Sequence, residues 1–231
     1  MAEARQRSIY GRRRGKPLRP GRRRTLETHW PELAITPEDV QRNDGDAGAL
    51  FGFEPAALWL EIGFGAGEHL AAQALAHPDI GFIGCEPFEN GIARLVTQIE
   101  ADGLSNLRLY NDDAALLLAA LRPASLDRAF LLFPDPWPKR RHNKRRFVNP
   151  DNIALMARAL RPGSLWRIAT DEMSYCRWIL AHMTSHPDFT WQVAGPGDWR
   201  HRADDWPQTR YEAKALEQGR RPAFLTFRRR A

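Results

Sequence analysis

From Leu58 onward, short apolar runs alternate with longer stretches in which apolar residues return every three or four positions. The runs at 58–64, 80–86, 107–110, 127–133, 165–170, 189–193 and 223–227 read as strands. Between them, 68–76, 89–102, 114–121, 151–160 and 172–186 read as amphipathic helices, with a shorter one at 212–217. Strand and helix in alternation is the βαβ pattern, which predicts a mostly parallel sheet with helices on both faces. Two segments break the rhythm. Residues 134–150 turn to proline and charge and read as a long functional loop. Residues 194–207, where Trp199 and Trp206 stand among Gly, Pro and Asp, read as an irregular insertion.

Composition adds to this picture mainly at the N-terminus. A length of 231 residues with 43% hydrophobic content suits one domain with a full sheet core. The net charge of +6 is unevenly distributed: residues 1–24 hold ten Lys and Arg against the single acid Glu3, so this stretch is +9 and the other 207 residues are −3. We expect 1–24 to be a basic tail without fixed structure and 25–231 to be the folded domain. Such a tail resembles a nucleic-acid-binding arm, although a solubilising or targeting segment has the same composition. Cys85 and Cys176 have no paired spacing, which favours a reducing compartment. No apolar run is long enough for a membrane span and none follows the N-terminal charges, so a soluble cytoplasmic protein is expected. No obligate protein partner is indicated.

The first strand runs into Leu60-Glu61-Ile62-Gly63-Phe64-Gly65-Ala66-Gly67, where glycines let the backbone turn sharply and approach a ligand. A dinucleotide fingerprint would continue with glycine where this chain has Glu68, a poor neighbour for pyrophosphate. Glu61 and Glu68 suit a cofactor with a cationic amino-acid moiety better. Glu86 ends the second strand, where a carboxylate accepts from ribose hydroxyls, and Asp112 and Asp113 end the third. Three successive strands ending in carboxylates favour S-adenosylmethionine over a nicotinamide dinucleotide.

The fourth strand leads into Phe133-Pro134-Asp135-Pro136-Trp137-Pro138, then Lys139-Arg140-Arg141-His142-Asn143-Lys144-Arg145-Arg146. Phe133, Asp135 and Trp137 each precede a proline, so extended backbone and a stiff loop are expected. Six of the eight residues from Lys139 to Arg146 are basic. An acid, an aromatic and phosphate-binding charges in one rigid loop fit recognition of an accessible RNA base.

These motifs, with Ala169-Thr170-Asp171 and Thr209-Arg210-Tyr211-Glu212, resemble the bacterial single-subunit tRNA (guanine-N7-)-methyltransferases from about Arg24 to the C-terminus. The resemblance implies a class I S-adenosylmethionine-dependent methyltransferase fold. Its sheet is Rossmann-like and seven-stranded, with an antiparallel last strand. The implied reaction is methyl transfer to N7 of a guanine in the tRNA variable loop. Matched motif by motif, Glu61, Gly63, Gly65, Glu86, Asp113 and Asp135 would contact the cofactor, with Asp135 also catalytic. Lys139, Asp171, Thr209, Arg210, Tyr211 and Glu212 would bind substrate, and Arg141, His142, Asn143, Lys144, Arg145 and Arg146 would face RNA. Guanine N7 has a lone pair and no proton, so positioning and charge stabilisation carry catalysis and no metal is expected. His182 and His186 are four apart but lack the glutamate of a zinc motif, so packing or surface roles are expected. The rival readings are a methyltransferase for an exocyclic base amine and a non-catalytic RNA-binding module with this fold.

Overall fold

The computed structural model of the chain describes residues 11–231. Its centre is a seven-stranded sheet ordered β3-β2-β1-β4-β5-β7-β6. The strands are β1 (Ala57–Ile62), β2 (Ile80–Cys85), β3 (Leu107–Tyr110), β4 (Leu126–Leu132), β5 (Leu160–Thr170), β6 (Phe189–Trp191) and β7 (Ala223–Arg229). The first five are parallel to one another, and β7 runs antiparallel between β5 and β6. Parallel neighbours need long crossovers, supplied here by α3 (Glu68–Ala76), α4 (Glu89–Asp102), α5 (Ala114–Ala120) and α6 (Pro150–Ala159). The chain builds outward from β1 to β3, then returns to place β4 on the other side of β1. The crevice above the carboxyl ends of β1 and β4 is therefore the topological switch point, where open sheets of this kind bind ligands.

Strand parity decides what each helix meets. Leu58, Leu60 and Ile62 of β1 join Leu117, Ile153 and Ile179 on one face, under α5, α6 and α7 (Met173–Thr184). Trp59 points the other way and packs with Leu70, Ile92, Leu95 and Phe130 under α3 and α4. Both faces are covered, which is why the strands read as nearly unbroken apolar runs. By the same alternation Glu61 falls on the Trp59 side, beneath α3.

Where the helical and strand patterns were strong, the expected elements form to within a few residues. β5 starts five residues early because Leu160 pairs with Leu126 ahead of a bulge. Among the described residues, two α-helices were not anticipated: α1 (Pro20–Leu33) and α2 (Pro37–Arg42). Leu26, Trp30 and Leu33 have the i, i+4, i+7 spacing of a buried stripe, and Pro20 opens the helix, but the surrounding arginines obscure the pattern. The expected tail boundary after residue 24 therefore falls inside α1, which packs on α4. Before α1, the backbone O of Arg13 accepts from Glu89 N at 2.9 Å and Gly15 N donates to Asn90 Oδ1 at 2.8 Å. Residues 1–10 of the expected tail lie outside the described residues.

The 194–207 insertion is anchored to the sheet. Trp206 is buried against Phe130 and Phe224, and Asp205 accepts from Arg128 at 3.1 Å and from Arg167 at 2.8 Å. Among the described residues no helix is long and apolar enough to cross a membrane. Cys85 and Cys176 are free and buried.

Candidate active site

The glycine loop leaves β1 through left-handed backbone at Gly63, Gly65 and Gly67, with φ of 70°, 61° and 82°. These values strain residues with a Cβ and turn the loop's N–H groups towards the strand ends. Gly65 N donates to Glu86 Oε2 at 2.7 Å and Phe88 N donates to Oε1 at 2.9 Å. Glu86 is thus clamped and buried at the end of β2. Burial pushes its carboxyl above the ordinary range, the two backbone donors oppose this, and the charges of Asp135 and Glu61 reinforce it.

Glu61 has a partner that sequence reasoning missed. His69, in the first turn of α3, places Nδ1 2.6 Å from Glu61 Oε2, and both side chains are almost fully buried. One proton shared between the carboxyl oxygen and the ring nitrogen holds the pair at that distance. The ring packs edge-on against Phe130, and Nε2 has no hydrogen-bond partner among the described residues. A histidine directly after the glycine loop, over the acidic strand, was the available signal. Asp113 caps α5 by accepting from Ala115 N at 3.0 Å, and Asp112 pairs with Arg13 at 3.1 Å.

Asp135 sits on the loop after β4. It is exposed by area, yet crowded enough that desolvation raises its carboxyl above the ordinary range. The expectation of extended backbone on both sides of it does not hold. Phe133 and Trp137 are left-handed, with φ of 50° and 43°. For bulky residues ahead of proline this conformation stores strain of about 1–3 kcal/mol each. Phe133 N donates to Ala169 O at 2.8 Å, and the Arg145 guanidinium lies 4.8 Å above the Trp137 ring.

The Thr209-to-Glu212 string opens α8 (Arg210–Glu217) against the glycine loop. Thr209 caps the helix, accepting from Glu212 N at 3.2 Å, and Glu212 is buried with Oε1 accepting from Arg202 at 3.2 Å. The Tyr211 ring covers Gly65 so closely that a Cβ there would come within 3.1 Å of it. Arg210 pairs with Glu68 at 3.3 Å, so Glu68 serves this contact rather than standing free for a cationic ligand as expected. Glu61, Gly63, His69, Thr209 and Tyr211 together line a cavity of about 10 Å³. A separate cleft of about 340 Å³ is walled by Arg13, Trp30, Pro87 and Asn111. Asp171, at the end of β5, is held by Arg220 at 2.9 Å.

The basic run is not fully irregular. Arg140–Arg145 form a 3-10 turn that Lys139 opens, its backbone O accepting from His142 N at 2.7 Å. Lys139, Arg141 and Lys144 are exposed. His142 lies beside Arg141, with its ring pushed below the ordinary value by desolvation and by the surrounding cations. Asn143 O accepts from Arg146 N at 3.0 Å. Arg146 departs from expectation: it is 3% exposed and faces the interior rather than RNA. Its Nε donates to Pro136 O at 2.9 Å and its Nη2 to Ser174 Oγ at 3.2 Å. His182 Nδ1 donates to Trp178 O, 2.8 Å away, within its own helix.

The donor set suits S-adenosylmethionine. Glu61, Glu86 and Asp135 gather carboxylates whose mutual repulsion and burial a cationic ligand rich in hydroxyl donors would relieve.

Comparison with known proteins agrees with the geometry. Residues 55–225 match the family described as "Putative methyltransferase". The chain is 50% identical over 223 residues to the tRNA (guanine-N(7)-)-methyltransferase of Rhodospirillum rubrum, spanning 96% of this chain and 88% of that one. The enzyme of the same name from Mesorhizobium japonicum is 48% identical over 224 residues, spanning 96% and 95%. The chain belongs to this methyltransferase family. Among solved structures, an rRNA methylase from Streptococcus thermophilus shares the fold of this methyltransferase at a TM-score of 0.53 and 13% identity, covering 85% of this chain and 98% of that one. The antibiotic-resistance methyltransferase Kmr does so at 0.53 and 17%, covering 85% and 94%.

Proposed function

We propose that the protein transfers a methyl group from S-adenosylmethionine to N7 of a guanine in the variable loop of tRNA, in the cytoplasm. The observation that carries this reading is the loop after β4. It presents Asp135, Trp137 and an exposed basic turn from one strained segment beside an acidic crevice, in a chain of this family.

When bound, S-adenosylmethionine supplies the electrophilic methyl group. Glu86 would accept from the ribose hydroxyls with Asp113 beside it, while Glu61, oriented by His69, would hold the amino-acid end. N7 carries no proton, so no general base is required. Asp135 orients the purine and stabilises the positive charge that grows on it. Thr209 and Tyr211, which line the crevice, hold the base there together with Asp171, whereas Glu212, buried on Arg202, fixes the start of α8 rather than touching the base. Lys139, Arg141, His142, Asn143, Lys144 and Arg145 bind tRNA phosphates, and the arginine-rich N-terminal segment adds further contacts.

Purified protein with unmodified tRNA and methyl-labelled S-adenosylmethionine tests the proposal. The label should appear as 7-methylguanosine in the variable loop. Label on an exocyclic amine would favour the rival chemistry, and tRNA binding without transfer would favour the non-catalytic reading.

A further inference from the structure

We infer that Arg146 is a positioning residue: an internal strut that holds the Asp135 loop in its strained form, setting turnover without adding to RNA affinity. This rests on the reading of Asp135 above.

The loop cannot hold itself. Pro134, Pro136 and Pro138 have no N–H, so the backbone bonds that would pin an ordinary loop are missing. Two bulky residues in it, Phe133 and Trp137, nevertheless keep left-handed backbone, which persists only where the surroundings enforce it. Between them, the carbonyl next to Asp135 is gripped by Arg146 Nε at 2.9 Å. The other end of the same guanidinium is fixed to α7, through Ser174 Oγ at 3.2 Å and by stacking 4.9 Å above Tyr175 and 5.2 Å above Trp178. Because α7 begins just after Asp171, the strut couples the loops that follow β4 and β5. At 3% exposure the guanidinium is out of reach of a phosphate unless the loop opens. Burying a charge is costly, and here two hydrogen bonds and two ring faces offset that cost. Lysine cannot replace it, since one ammonium neither spans both acceptors in a planar fork nor stacks on two rings.

The test compares Arg146→Lys, Ser174→Ala and Asp135→Asn in steady-state kinetics over a salt series, with S-adenosylmethionine affinity and melting temperature measured on each. Arg146→Lys should lower the turnover number about 10- to 100-fold, the scale expected when a reacting group is displaced by about 1 Å. Its KM for tRNA should stay within about twofold and its salt slope should be unchanged. Ser174→Ala should show a smaller loss in the same pattern. Wild-type turnover in Arg146→Lys would overturn the inference. So would a raised KM with a salt slope reduced by about 0.7–0.9 per lost phosphate contact, the mark of an RNA ligand. If Arg146→Lys does not fold, Ser174→Ala decides: wild-type turnover there overturns the inference. Asp135→Asn separates the two claims. Full activity in that variant removes the reading of Asp135 itself, whereas an inactive Asp135→Asn beside fully active strut variants removes the strut alone.

Discussion

Gly91→Ala should act on cofactor binding more than on folding, although Gly91 is a helix residue with no place in the crevice. The third residue of α4, it lies against the glycine loop so closely that an added Cβ would sit 2.1 Å from Gly65 O and 3.0 Å from its carbonyl carbon. Carbon and oxygen normally approach no closer than about 3.3 Å, so backbone must move by about 1 Å. For the fold, alanine gains about 1 kcal/mol in helix propensity and loses about 1–3 kcal/mol to overpacking, a net cost of at most about 2 kcal/mol. For the site, the displaced residue is the one whose N–H donates to Glu86 at 2.7 Å. Losing a hydrogen bond to a charged group costs about 1.5–3 kcal/mol, or roughly 10- to 150-fold in affinity. Calorimetric titration with S-adenosylmethionine, paired with thermal melting, measures both effects. Gly103→Ala is the control: φ is 64° and nothing lies within 4 Å of the added methyl, so it should lose about 1–2 kcal/mol of stability and leave cofactor affinity alone. A Gly91→Ala protein with wild-type affinity and melting temperature would refute the reasoning.

Other outcomes follow from the same geometry. Asp135→Ala and Asp135→Asn should abolish transfer without shifting the melting temperature, because the side chain is exposed on a loop; near-wild-type turnover in both would remove it from the mechanism. Glu86 is held above the ordinary carboxylate range, so between its unfolded and folded pKa the free protein retains a proton that an accepting carboxylate must lose. S-adenosylmethionine affinity should therefore rise with pH through that window while the free protein loses stability, and Glu86→Gln should flatten both trends; a wild-type profile in the variant would contradict this. Neutralising Arg141 and Lys144, both exposed, should weaken tRNA binding and reduce its salt slope by about 0.7–0.9 per phosphate contact, and an unchanged slope would argue that they do not touch RNA. Trp206→Ala should cost about 3–5 kcal/mol in denaturant unfolding, since Trp206 is buried against Phe130 and Phe224; a loss below about 1 kcal/mol would mean the insertion is not anchored there.

The alternation of apolar runs and amphipathic stretches was sufficient to read the sheet and its main crossover helices, because burial on both faces of a parallel sheet leaves a plain periodic signal. The glycine loop and the carboxylates at the strand ends were legible for a related reason: each follows its strand directly, so the strand's direction fixes where it lies. α1 was hidden because its apolar stripe of Leu26, Trp30 and Leu33 is diluted by arginines whose local charge says nothing about what the helix packs on. Pairings distant in sequence were beyond reach as well. Nothing in the order of residues says that Glu68 is taken by Arg210 or that Asp171 is held by Arg220. Charge alone also could not separate Arg141 and Lys144, which face solvent, from Arg146, which the fold turns inward onto Pro136 and Ser174. Local order determined which groups the chain offers at its strand ends; burial, which depends on what packs from elsewhere, decided which of them remain free to meet a ligand.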